Sequence, residues 1–237
     1  MDEYYVILRR AKRHAFKFAA TSLTPHLRCW ARLALSTSAL AFAFASPGWS
    51  NECGIDAAGQ GVNNCGQPGQ NIANGISYTN SDGLTLNLND PTASITNTGL
   101  GALGIYLEDA ASGTGDLIVN ATDFDRISNS QRGIFIRKNG ASGDASVTLN
   151  NGTIQTLAGQ ASSQGAAIFI GNANATGNAS ITMDGGSVVT NGLNSAGLSI
   201  NNKGQGNSSI VIDGGQIETR STSSPAAISI VSNLTST

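Results

Sequence analysis

An all-β solenoid of about five coils, each of about 30 residues, is the fold class that three observations predict. First, an apolar-x-apolar triplet followed by Asn or Asp and a Gly-bearing turn comes in three near-copies: SVTLNNGTIQT from Ser146, SITMDGGSVVT from Ser180 and SIVIDGGQIET from Ser209. Second, another triplet, preceded by a small residue, alternates with these at spacings of 29, 34, 30 and 30 residues: GIYL from Gly104, GIFI from Gly133, AIFI from Ala167, GLSI from Gly197 and AISI from Ala227. Third, aromatics make up only 5% and charged residues 12% of the 237 residues, and all 29 glycines lie from Gly48 onward. A disordered polar linker shares that composition but lacks recurring apolar triplets.

The chain begins with a leader. Residues 1–32 hold seven of the 13 Lys and Arg, and an apolar run of 13 residues, Leu33–Ala45, follows. A spanning helix takes about twenty apolar residues, so the run is too short to cross a membrane. A basic segment, a short apolar core and the small-x-small sequence Ala43-Phe44-Ala45 predict a signal peptide over 1–45, cleaved after Ala45. Read alone, Arg9–His14 also fits a nucleic-acid patch, but the apolar run directly after it favours export. Beyond Ser46, six basic residues face 13 acidic ones, a balance near −7 that disfavours nucleic acid as a partner.

Residues 46–80 are expected to form an N-terminal cap segment. Cys29 falls in the leader, which leaves Cys53 and Cys65 as a close pair in the exported region. Both histidines, His14 and His26, also lie in the leader, so nothing completes a zinc set. The pair is therefore expected to be a disulfide, with no metal site.

Residues 81–237 carry the repeats. Period-2 triplets are strands with one buried face, each too short to form a sheet of its own. Stacked coils bury what one coil cannot. The triplets Val147/Leu149, Ile181/Met183 and Ile210/Ile212 are each followed by an apolar residue, Ile154, Val188 and Ile217. Weaker copies precede them: Leu86/Leu88 with Ile95, and Leu117/Val119 with Phe124. Predicted inward ladders are Ile105, Ile134, Ile168, Leu198 and Ile228, with Leu107, Ile136, Ile170, Ile200 and Ile230 beside them. Alternation then turns Tyr106, Phe135 and Phe169 outward as a column. That column is expected either to stack upon itself or to form a contact stripe for a sugar or a partner protein. Asp-Gly-Gly marks coil corners, since Gly and Asn tolerate turn conformations. Stacked Asp184 and Asp213 would be the catalytic or calcium-binding alternative, but Asn150 at the equivalent position argues for a corner. Segments such as GNANATGN from Gly171 are expected to be the exposed loops where coil length changes.

These residues together resemble a known family. The leader, the cysteines in NECG…NNCG and the unit GNASITMDGGSVVTNGLNSAGLSI (Gly177 to Ile200) are similar to pertactin-like passenger domains of autotransporters, over roughly Cys53 to Thr237. The resemblance implies a right-handed parallel β-helix, export through the inner membrane, and delivery to the cell surface or medium. The carrier would be an outer-membrane translocator barrel on the same polypeptide, and the role that of an adhesin or other virulence factor. No long alternating strands with aromatic girdles occur near the C-terminus. The chain is accordingly expected to be a truncated passenger fragment, periplasmic unless a translocator is supplied.

Without histidine beyond the leader, Ser-His-Asp and Cys-His arrangements are excluded there. A GxxxxGK[ST] loop is absent, and Gly204-Gln205-Gly206 is too short for a dinucleotide fingerprint. The expectation is a non-enzymatic exported scaffold with no catalytic residues and no cofactor, whose partner is a host or bacterial surface protein or glycan. A carbohydrate-active β-helix enzyme, lyase or hydrolase, is the competing class. It would need convergent acids and a base such as Arg137 or Arg220.

Overall fold

The computed structural model describes residues 61–99, 101–157, 166–173, 176–191, 195–220 and 226–232. The predicted leader with its Ala45 cleavage site, and Cys53, lie outside them. Contacts divide the chain into Met1–Trp49 and Ser50–Thr237, and every described residue belongs to the second unit. Every regular element among the described residues is a strand.

The strands come in threes. The first coil is β1 (Gly61–Cys65), β2 (Asn71–Ile72) and β3 (Ile76–Ser81), and the second is β4 (Leu84–Asn89), β5 (Ser94–Asn97) and β6 (Leu103–Asp109). The third is β7 (Leu117–Asp123), β8 (Arg126–Asn129) and β9 (Arg132–Lys138), and the fourth β10 (Ala145–Leu149), β11 (Thr153–Thr156) and β12 (Ala166–Asn172). The fifth is β13 (Ala179–Met183), β14 (Ser187–Thr190) and β15 (Ala196–Asn202), and the sixth β16 (Ser208–Ile212), β17 (Gln216–Thr219) and β18 (Ile228–Ser232). Each strand pairs in parallel with its counterparts one coil away, giving three six-stranded sheets and five coil-to-coil steps. The chain is a parallel β-solenoid with a repeat of about 30 residues. The stack reaches back to Gly61, into the segment expected to be a cap.

The predicted ladders are the observed register. Ile105, Ile134, Ile168, Leu198 and Ile228 lie side by side in the third sheet, as do Leu107, Ile136, Ile170, Ile200 and Ile230. In the second to fifth coils these side chains are wholly buried, and each contributes roughly 1.5–3 kcal/mol by leaving water. In the sixth coil the inward direction holds without burial: Ile228 is 43% and Ile230 46% exposed. Both keep the inward position of their ladder, but no described strand covers their far side.

Two sequence alignments needed correction. Val119 and Ala121, rather than Leu117 and Val119, sit beside Val147 and Leu149. In the second sheet Ile154 pairs with Ile127 and Ile127 with Ile95, so Phe124 is not the ladder residue. Phe124 is buried at the corner before β8, and a side chain at Gly152 one coil on would collide with its ring. The third coil carries an extra apolar residue before each true register position, Leu117 ahead of Val119 and Phe124 ahead of Ile127.

The loop expectation also changes. The corner containing GNANATGN is nearly constant, with 11 positions from Ile136 to Val147 and 11 from Ile170 to Ile181. Length changes instead between the second and third sheets: seven positions from Ile127 to Ile134, then 14 from Ile154 to Ile168. The constant corner is pinned by side-chain caps between coils. The Asp116 carboxylate accepts from the Asp144 N–H at 2.7 Å, Asp144 from the Asn178 N–H at 2.7 Å, and Asn178 from the Asn207 N–H at 3.0 Å.

At the Asp-Gly-Gly corners the two glycines serve different needs. Gly152, Gly186 and Gly215 have positive φ of 85°, 74° and 87°. Gly185 and Gly214 have no positive φ, but a Cβ there would strike the carbonyl oxygens of Asn150 and Asp184 in the preceding coil. Asp184 and Asp213 are exposed at this turn, and their N–H groups bond to Leu149 and Met183 of the coil before.

Candidate functional site

Strand alternation sends Ile134, Ile136 and their counterparts inward, so Tyr106, Phe135 and Phe169 emerge on the outer surface of the third sheet. Register places them in one column, Tyr106 beside Phe135 and Phe135 beside Phe169. The rings stack. Tyr106 and Phe135 centroids are 5.1 Å apart with planes tilted 39°, and Phe135 and Phe169 are 5.3 Å apart edge to face. All three remain partly exposed. Ser77 and Ser199 occupy the same ladder before and after, so the stripe is confined to three coils.

Basic groups flank the rings. The Arg132 guanidinium lies 4.3 Å from the Phe135 centroid and 4.4 Å from that of Phe169, within cation–π range. Burial pulls its pKa below the ordinary value, a shift that leaves it charged. On the other flank Glu108 accepts from the Tyr106 hydroxyl at 2.7 Å and the Asn139 amide at 2.6 Å, and pairs with Arg137 at 3.3 Å. Burial, then the Glu108 hydrogen bond, raises the Tyr106 pKa. Gly171 follows Arg137 in the ladder, and a Cβ there would crowd the Phe169 ring at 3.0 Å. Its missing side chain opens a shallow depression of about 170 Å³ lined by Phe135, Phe169, Arg137, Asn139, Asn201 and Lys203, among others.

A second polar group lies inside the coil and was missed in the sequence. Lys138 and Asp109 are fully buried and paired at 3.0 Å. Asp109 also accepts from the N–H groups of Asn139 and Gly140, and Lys138 donates to the Gly115 carbonyl at 2.8 Å. In later coils the ladder continues as Asn172 and Asn202, whose amides donate to the carbonyls of Gly177 at 3.2 Å and Gly206 at 2.8 Å. The position closes the corner from within. The signal was present: parity carried on from Ile105 and Leu107 reaches Asp109, and from Ile134 and Ile136 reaches Lys138.

Of the expected disulfide, Cys65 is buried and disulfide-bonded, while Cys53 lies outside the described residues. The bases considered for an enzyme stand apart: Arg137 pairs with Glu108 on the third sheet, and Arg220 with Glu218 at 2.6 Å at the end of the second. Among the described residues no group of three or more His, Cys, Asp or Glu is placed to hold a metal. No described helix is long and apolar enough to cross a membrane. No protein-family model, curated protein or solved structure matches the chain.

Proposed function

We propose that the chain is a non-enzymatic exported scaffold of the autotransporter passenger kind, an adhesin-type protein that works by presenting its outer surface. The observation that carries the reading is how the carboxylates of the coils are engaged. Asp82 accepts from the N–H groups of Thr114 and Gly115, both at 2.8 Å, Asp116 and Asp144 cap the next coil, and Asp109 neutralises Lys138. Glu108 and Glu218 pair with arginines. Apart from the local Glu218–Arg220 pair, these groups link neighbouring coils, whereas a glycan-cleaving site needs acids converging on a bound sugar. The partly exposed ring column is the surface feature most suited to contact.

Two measurements test the reading. Incubation with a panel of acidic and neutral polysaccharides should release no reducing ends and no unsaturated product; release that Glu108→Gln abolishes would establish the carbohydrate-active enzyme instead. Residues 1–60 fused to a reporter active only after export should direct it across the inner membrane of a Gram-negative host, and Leu40→Arg should block that. A reporter retained in the cytoplasm would remove the exported half of the reading.

A further inference from the structure

The outer face of the third sheet gathers positive charge in an acidic chain. Beyond Ser46 there are six Lys and Arg against 13 acids, and three of the six, Arg132, Arg137 and Lys203, border the ring stripe. Glu108, paired with Arg137, is the acid described on this face, while the exported region as a whole is near −7. The depression of about 170 Å³ is close to the roughly 150 Å³ cavity that accepts one benzene, so it takes a single six-membered ring. Its floor is aromatic at Phe135 and Phe169, and its rim carries the amides of Asn139 and Asn201 and the cations of Arg137 and Lys203. Ring centroids recur at 5.1 and 5.3 Å, so the column offers successive aromatic contacts along one line.

Each part matches one part of an acidic sugar. The C–H face of a pyranose stacks on an aromatic ring, hydroxyls exchange hydrogen bonds with amides, and carboxylates take charge-assisted bonds from Arg and Lys. From this combination we infer that the face binds an oligosaccharide whose rings carry carboxylates, laid along the column from Tyr106 toward Phe169 and Lys203. The inference rests on the scaffold reading and names its ligand class. Negative charge elsewhere on the chain disfavours such a ligand on other faces, and salt, by screening the attraction between its carboxylates and the cations here, weakens binding.

Calorimetric titration of the full chain with tetragalacturonate and with its methyl ester tests this directly. The acid form should bind, with the ester at least about tenfold weaker because the carboxylate contacts are lost. Lys203→Glu, at an exposed position and checked for an unchanged cooperative melt, should weaken the acid form by about tenfold. Phe169→Ala should weaken acid and ester alike, and Gln155→Ala on the second sheet should change neither. Should Phe169→Ala melt without cooperativity, Lys203→Glu and the ester comparison decide alone. Absence of binding, equal binding of acid and ester, or an inert Lys203→Glu overturns the inference. So does binding of an acidic peptide through Phe169 with none of the saccharide, which would assign the face to a protein partner. Bound tetragalacturonate that is also cleaved removes the non-enzymatic reading and keeps the ligand class. Failure to bind with no cleavage removes the ligand class and keeps the scaffold.

Discussion

The fourth and sixth coils share a motif and differ in surroundings. Ile168 and Ile170 of the fourth are wholly buried, while Ile228 and Ile230, two steps along the same ladders, are 43% and 46% exposed. Val211, Ile212 and Val231 of the sixth coil are also exposed. Inward direction is a property of one strand and follows from alternation. Burial belongs to a pair of coils, because each covers only the near side of its neighbour.

The sharpest way to break this comparison is to place one charge in both coils. Ile170→Asp should cost several kcal/mol, enough to abolish cooperative melting of the β-sheet circular dichroism signal. Ile230→Asp, half exposed and open on its far side, should cost only about 1 kcal/mol and keep the melt cooperative. Similar losses for the two would mean that the sixth coil is covered in solution. Ion pairs give the next contrast. Lys138→Met leaves the Asp109 charge buried without its cation and should cost about 3–5 kcal/mol in denaturant unfolding. Arg220→Met, in the solvent-exposed Glu218 pair, should leave the unfolding midpoint nearly unchanged. A midpoint for Lys138→Met no lower than that for Arg220→Met would contradict the burial of the pair.

A corner glycine sharpens the same point. Gly185→Ala drives a Cβ into the Asn150 carbonyl with a coil packed on either side, and should cost about 1–3 kcal/mol. Gly214→Ala makes the equivalent clash with Asp184 in the last described coil, which can shift outward, so its melting temperature should fall less. The smallest effect is a pH response. N–H groups of Gly115 and Thr114 hold the Asp82 carboxyl below its ordinary value of 3.8. A depressed folded-state pKa contributes stability that is present above the unfolded value and lost as pH falls through the folded one. Melting temperature should therefore drop as acid is added below the ordinary aspartate range, and Asp82→Asn should make that drop slightly shallower. An unchanged acid limb in Asp82→Asn would show that this cap contributes nothing.

Strand direction, the two inward ladders of the third sheet and the outward ring column were legible from period 2 and a 30-residue repeat. Phe124 misled because its size outweighed Ile127 three residues on, and spacing alone does not fix where a corner ends. The Arg132 clamp was illegible for a related reason. It depends on a side chain leaving the strand start and folding back over two rings, which no periodicity encodes. Lys138 and Asp109 were legible by parity, because the alternation that turns Leu107 and Ile136 inward continues to them. That residue class is rarely buried unless paired, and the pairing becomes visible only when two coils are laid side by side.

The Asp109–Lys138 pair also answers a counting problem. Coils cut from one pattern are nearly interchangeable: Ile105 would sit against Ile168 about as well as against Ile134 if a folding chain skipped a turn. The charges are not interchangeable. Skipping the third coil would lay Asp109 against Asn172, a carboxylate sealed beside a neutral amide, at the cost of burying an uncompensated ion. The pair thus works as a serial number, marking the second and third coils as consecutive in a stack whose apolar ladders cannot tell one turn from the next.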